Sequence, residues 1–247
     1  MKHHNRSIAM SIAAILIAVA FAALPTMAQE ITGVPGSPSA TTTISGKQLP
    51  PPDPRFGGVI KEKASESKAW WPPRVVPPKG APNVLLIITD DAGFGVPSTF
   101  GGVIPTPTMD RIAKEGLRYN RVFSTALCSP TRAALITGRN HHSVGMRGLA
   151  NWNTGFPNCT GGVSKSAATL AEMLRPQGYS TFAVGKWHLT PMEETSAAGP
   201  FDQWPLARGF DRFYGFLNGE TDQFYPELTR DNQHILPPRT PEEGYHL

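Results

Sequence analysis

The chain has 247 residues, with 23 Lys and Arg against 19 Asp and Glu, a formal charge of +4, and two cysteines. So small an excess of positive charge points neither to nucleic acid nor to a basic membrane-binding patch. The length suffices for one α/β domain.

Met1 to Ala28 reads as a secretory leader. Lys2 and Arg6 give it a basic start, Ile8 to Leu24 an apolar run, and Thr26-Met27-Ala28 a small-residue cleavage site. An uncleaved anchor is the competing reading, but the run is short and Pro25 follows it. The expectation is therefore an exported chain, periplasmic or secreted, with no stable membrane association. Removing 28 of the 247 residues leaves 219, and losing Lys2 and Arg6 takes the charge from +4 to +2.

Residues 29–82 are rich in Pro, Ser, Thr and Gly, with Pro50-Pro51-Pro52 and Pro72-Pro73 among them, the composition of an extended arm. Trp70 and Trp71 are expected to anchor it, with the lining of a substrate cleft as the alternative.

Order is expected from Asn83. Val84-Leu85-Leu86-Ile87-Ile88 is a short continuous apolar run, the pattern of a strand buried on both faces of a parallel sheet. Asp90 and Asp91 follow at its C-terminal end, ahead of Gly93 and Gly95. Two adjacent carboxylates repel unless a cation intervenes, and a hard divalent ion with oxygen ligands would resolve that. A solvated Asp-Asp turn is the plainer reading of such a pair. Thr106-Pro107 opens a helix through Met109, Ile112 and Ala113 that stops at Gly116. Arg118 to Phe123 reads as a second strand.

That strand leads into Ala126-Leu-Cys-Ser-Pro-Thr-Arg-Ala-Ala-Leu-Ile-Thr-Gly138, with a Cys-x-Pro-x-Arg core at Cys128, Pro130 and Arg132. Ser129 suits an N-cap and Pro130 the first helical position, with Gly138 as the stop. Cys128 then sits just before a helix N-terminus, where free N–H groups and the dipole favour an anion. Arg132, four residues on, can reach back towards position 128. A Cys128–Cys159 disulfide is the ordinary alternative for two cysteines in an oxidising compartment.

His141 and His142 fall in a loop and are read as structural. Ser166 to Arg175 is expected to be helical, with Leu170, Met173 and Leu174 facing inward and Gln177-Gly178 ending it. Tyr179 to Val184 follows as a strand. Gly185-Lys186-Trp187-His188 ends that strand as Asp90-Asp91 ends the first. Extended geometry would place Lys186 and His188 on one face, where a Lys can hold anionic oxygens and a His can move protons. Asp202, Trp204 and the stretch Phe210 to Phe216 read as packing. The chain stops at Tyr245-His246-Leu247 with no closing element in view, as a piece of something longer would. The fold class is α/β, a mostly parallel sheet sandwiched by helices, with ligands beyond the C-terminal strand ends.

These motifs resemble the sulfatase family, of alkaline-phosphatase-like fold, and its bacterial arylsulfatases in particular. Three segments carry the likeness: Ile88-Thr89-Asp90-Asp91 with its glycine loop, the Cys128 segment, and Gly178 to His188. The resemblance makes residues 83–247 the N-terminal part of a sulfatase catalytic domain. It implies hydrolysis of aryl sulfate esters by a Cys128 converted to 3-oxoalanine (formylglycine) by a formylglycine-generating enzyme. It further implies that Asp90, Asp91 and Cys128 bind one Ca²⁺. By the same resemblance, Arg132 steadies the formylglycine hydrate, Lys186 contacts the sulfate ester and His188 hydrogen-bonds the hydrate. Other ligands of the family's metal, an Asp-Asn pair, together with a further His and Lys, have no counterpart here. Phosphonate or phosphodiester hydrolysis in the same superfamily is one alternative, and an inert truncated chain another.

Overall fold

The computed structural model describes residues 31–43 and 54–247. The leader and the Pro50-Pro51-Pro52 run lie outside them. The chain divides into two compact units, Met1–Pro78 and Lys79–Leu247.

The first unit is more than an extended arm. Strand β1 (Ile31–Thr32) pairs antiparallel with β2 (Thr41–Thr43), which runs parallel to β3 (Arg74–Val76). The prolines do not prevent this, because they flank the strands and leave the ladder N–H groups in place. Trp70 packs inside this unit, edge-on to Phe56 at 6.1 Å. Gly36 and Gly57 lie against its indole, and a Cβ at either would fall 2.5 or 2.8 Å from the ring. Trp71 stays 47% exposed.

The second unit is built on a four-stranded sheet in the order β4 (Phe182–Lys186), β5 (Arg212–Phe216), β6 (Leu228–Arg230), β7 (Gln233–Ile235). The expected mostly parallel sheet is a mixed one. Only β4 and β5 run parallel, in register from Phe182 opposite Arg212 to Lys186 opposite Phe216. The other two pairs are antiparallel. Connection length explains the difference. The excursion 187–211 is long enough to return β5 parallel to β4, whereas the two residues Asp231-Asn232 can only make a hairpin. Asp231 takes φ +57° there, accepts from the Phe213 N–H at 3.1 Å and binds Arg212 at 2.8 Å, which ties the hairpin back to β5.

Three helices accompany the sheet: α1 (Pro107–Glu115), α2 (Cys128–Thr137) and α3 (Leu170–Leu174). Helix α1 runs between the expected Thr106 and Gly116, but all its residues are at least partly exposed. Helix α3 begins later than the sequence suggests. Thr169 and Glu172 form a reciprocal capping box that fixes its start, and Gly178 at φ +86° ends the following turn. Ala171 is its buried residue, while Met173, expected inside, is 49% exposed.

The core gathers Ala133 of α2, Val144, Met146, Val163, Ala167, Trp187, Leu189, Trp204, Phe213 and Leu217. Arg208 is buried among these elements at 1% exposure. It donates to the carbonyls of Val163 and Ala167 at 2.9 and 2.8 Å and meets Glu172 at 3.3 Å. One face of β4–β5 turns to this core through Ala183 and Phe213, while Phe182 and Val184 on the other face are largely exposed.

Two expected strands are absent. Val84–Ile88 and Arg118–Phe123 form no ladder, and Leu85, Ile87, Val122 and Phe123 are each more than two-thirds exposed. Apolar sequence alone does not make a parallel strand. It needs a neighbour on its edge and a cover on its face, and the described residues offer these segments neither.

Candidate active site

Helix α2 starts two positions earlier than the Ser-Pro pair suggests. Leu127, with φ −135°, is its cap, and Cys128 is its first residue. Ser129 makes no capping bond. It is fully buried, and its Oγ accepts from the Ala150 N–H at 3.1 Å. Cys128 thus sits inside the first turn, among N–H groups that have no partner within the helix, and the anion-favouring environment is retained.

Three elements meet at this turn. Strand β4 ends at Lys186, and the chain runs on beside β5, with the Trp187 N–H on Phe216 O at 2.9 Å and the His188 N–H on Leu217 O at 3.0 Å. His188 then takes φ +54°, so strict strand alternation does not carry through to it. That turn brings its Nδ1 to 3.1 Å from the Cys128 Sγ. Its Nε2 lies 2.8 Å from the Asn151 Oδ1. The ring is almost wholly buried, at 3% exposure. Burial, reinforced by the charges of Lys186 and Arg132 and opposed by that of Asp90, lowers its pKa from 6.5 to about 4. The imidazole is therefore neutral at physiological pH.

Asp90 closes the other side. Its Oδ2 accepts from Lys186 Nζ at 2.6 Å, and its Oδ1 faces the Arg132 guanidinium at 3.3 Å. Partial burial raises its pKa, but the hydrogen bonds and charges of Lys186 and Arg132 outweigh that and hold it below the usual carboxylate value. Arg132 also donates to the Lys186 carbonyl at 2.6 Å, while its Nε is buried without a partner. These bonds tie Arg132 to Asp90 and to the end of β4. Asp91, at φ +50°, is exposed and forms no ion pair among the described residues.

The model of the family described as Sulfatase matches residues 82–245. The chain belongs to the sulfatase family. Among curated sulfatases, it is 36% identical over 170 residues to an uncharacterized sulfatase of Schizosaccharomyces pombe, covering 64% of this chain and 29% of that protein. It is 39% identical over 140 residues to human steryl-sulfatase, covering 54% and 23%. It is 32% identical over 145 residues to the arylsulfatase of Klebsiella aerogenes, covering 58% and 30%. The chain thus spans less than a third of the length of the curated relatives it matches.

Of the candidate residues, the structure pairs Cys128 with His188 and joins Asp90 to Lys186 and Arg132, the two sets meeting at the first turn of α2 and the end of β4. His141 and His142 stand apart from them. Their rings lie 4.2 Å apart, tilted at 47°, and His141 Nδ1 pairs with the Met146 carbonyl at 2.9 Å. The two cysteines are free thiols, and Cys159 is buried with its Sγ on the Trp152 carbonyl at 3.0 Å. Asn151 was not among the sequence candidates, and no periodicity or flanking signal in Ala150-Asn151-Trp152 distinguishes it. Trp204 and Phe213 are core residues, as their surroundings in the sequence suggest.

The fit of a divalent cation can be judged from the donors. Asp90 and Asp91 are hard oxygen donors of the kind Ca²⁺ takes, but it takes six to eight. Among the described residues no three His, Cys, Asp or Glu side chains converge as a cage. Both Asp90 oxygens are already turned to cations. These residues alone do not fit a calcium site.

Proposed function

We propose that the full-length protein hydrolyses sulfate esters of the aryl type, with Cys128 matured to formylglycine by a formylglycine-generating enzyme. The observation that carries this reading is the 3.1 Å approach of a neutral, buried His188 Nδ1 to Cys128 at the start of α2, in a chain of the sulfatase family. Formylglycine, once hydrated, supplies a geminal diol as nucleophile. The chain's own residues do the rest. His188 Nδ1 stands where it can accept a proton from a hydroxyl at position 128. Lys186 and Arg132, with the N–H groups of the first turn of α2, create a positive corner for a tetrahedral anion. Asp90 holds both cations in place. The Ca²⁺ reading for Asp90, Asp91 and Cys128 belongs to this proposal, with these three as part of a donor set that the described residues do not complete. The leader pattern of Met1 to Ala28 supports export as the location.

The test is turnover by the full-length protein made together with a maturation enzyme. An aryl sulfate should be hydrolysed faster than an aryl phosphodiester, and the Cys128 peptide should carry the aldehyde mass. Active protein whose Cys128 is still an alkylatable thiol would sink the formylglycine reading, and a preference for the phosphodiester would change the substrate class.

A further inference from the structure

We infer that Asn151 is a positioning residue for His188, turning the imidazole so that its unprotonated Nδ1 faces position 128. The inference rests on the site proposed above and adds to it a residue that no sequence motif announces.

The geometry is a closed ring. Cys128 Sγ meets His188 Nδ1 at 3.1 Å, and His188 Nε2 meets Asn151 Oδ1 at 2.8 Å. Next to Asn151, the Ala150 N–H donates to Ser129 Oγ at 3.1 Å, and Ser129 follows Cys128 in α2. One helical turn therefore fixes both the group that His188 faces and the loop that orients His188. A loop residue holds a precise position only if its backbone is tied down, and the fully buried Ser129 supplies that tie.

The chemistry sets the direction of the proton. A neutral imidazole carries one N–H, and an amide oxygen can only accept. With Oδ1 turned to it, Nε2 holds the hydrogen and Nδ1 is left as acceptor. The group at position 128, a thiol before maturation and a hydroxyl after it, is the matching donor. This is the orienting third member that activated nucleophiles commonly use.

The ring also has little room to move. A Cβ on Gly219 would lie 2.7 Å from His188 Cε1 and 2.8 Å from Nε2, so the Gly219 backbone walls that edge. The left-handed backbone at His188 and its N–H bond to Leu217 fix the base of the side chain. Asn151 itself is exposed in its loop, so a change there alters the contact without opening the core.

The test has two arms. In ¹⁵N-histidine-labelled protein, the His188 nitrogens should show hydrogen on Nε2 and a bare Nδ1. Asn151→Leu should give mixed tautomers, and Asn151→Asp, which keeps an acceptor, should restore the single one. In the full-length enzyme, Asn151→Leu should lower kcat at least about tenfold with little change in KM, and Asn151→Asp should recover most of it. Hydrogen on Nδ1 in the unaltered protein, or a tautomer and kcat indifferent to Asn151→Leu, would overturn the inference. If the tautomer depends on Asn151 while no sulfate ester is turned over, the positioning role stands and the sulfatase activity is what fails.

Discussion

Two regions carry the proposed site, and they are built differently. The His188 corner is enclosed, with α2, the end of β4 and the segment after β5 around it and Trp187, Leu189 and Leu217 beneath. The Val84–Asp91 stretch has the more apolar sequence, yet it forms no strand, is exposed and touches the corner through Asp90. The proton-handling half is thus fixed by packing, whereas the carboxylate half is held by charge. Burial of apolar groups is worth more and is not screened by salt. A half-exposed ion pair is worth less and is screened.

The largest effect that would test this contrast is at Cys128 itself. Cys128→Ser in the full-length enzyme should cut turnover at least about a thousandfold, the scale of losing a nucleophile, because maturation loses its thiol. Steady-state rates from a host that carries the maturation enzyme would show it. Substantial retained activity would mean the enclosed corner is not the centre of the chemistry.

Next come the packing residues behind that corner. Leu189→Ala should cost about 2–5 kcal/mol through the cavity it leaves at a 1% exposed site. Arg208→Met should cost about 3–5 kcal/mol, because Glu172 and the carbonyls of Val163 and Ala167 lose their buried partner. Denaturant unfolding would measure both.

The pH response of His188 comes third. Its pKa is about 4 in the folded chain against 6.5 for the free side chain. The unfolded chain therefore takes up the proton first, and stability should fall as pH drops from about 6.5 to about 4, then level off. The total is about 3 kcal/mol, from roughly 1.4 kcal/mol per pKa unit. His188→Gln should remove that slope from a series of unfolding curves. If the slope persists, some other group carries it.

The smallest effect belongs to the exposed stretch. Leu85→Ser should change stability by no more than about 0.5 kcal/mol, since the side chain is 84% exposed. Amide exchange should show the same division, with Val84–Ile88 unprotected and the β4–β5 pair protected. A loss of several kcal/mol at Leu85 would erase the distinction between the two regions.

Much of the site was legible in the sequence. Cys128, Pro130 and Arg132 announce a helix start beside a reactive group, and Lys186 and His188 announce a strand end, because local spacing sets local direction. The partners of these groups were not legible. Spacing shows on which turn of α2 Arg132 stands, but not that it meets Asp90 and the Lys186 carbonyl, which come from segments far away in sequence. Ser129 looks like a cap but ties down the loop that holds Asn151. Val84–Ile88 has the pattern of a buried strand, but burial requires a neighbour that no local pattern can supply.

By itself, the sequence determined which residue types stand at helix starts, strand ends and turns, and the order of the motifs that mark a sulfatase. Backbone conformation and capping act over a few residues, so they can be read from neighbours along the chain. Tertiary structure alone decided that β4 through β7 make a mixed sheet and that the apolar run before Asp90 stays exposed. It alone set Asn151 and Gly219 around His188. Those outcomes depend on contacts between residues far apart in sequence, and such contacts are fixed only when the competing partners meet in space.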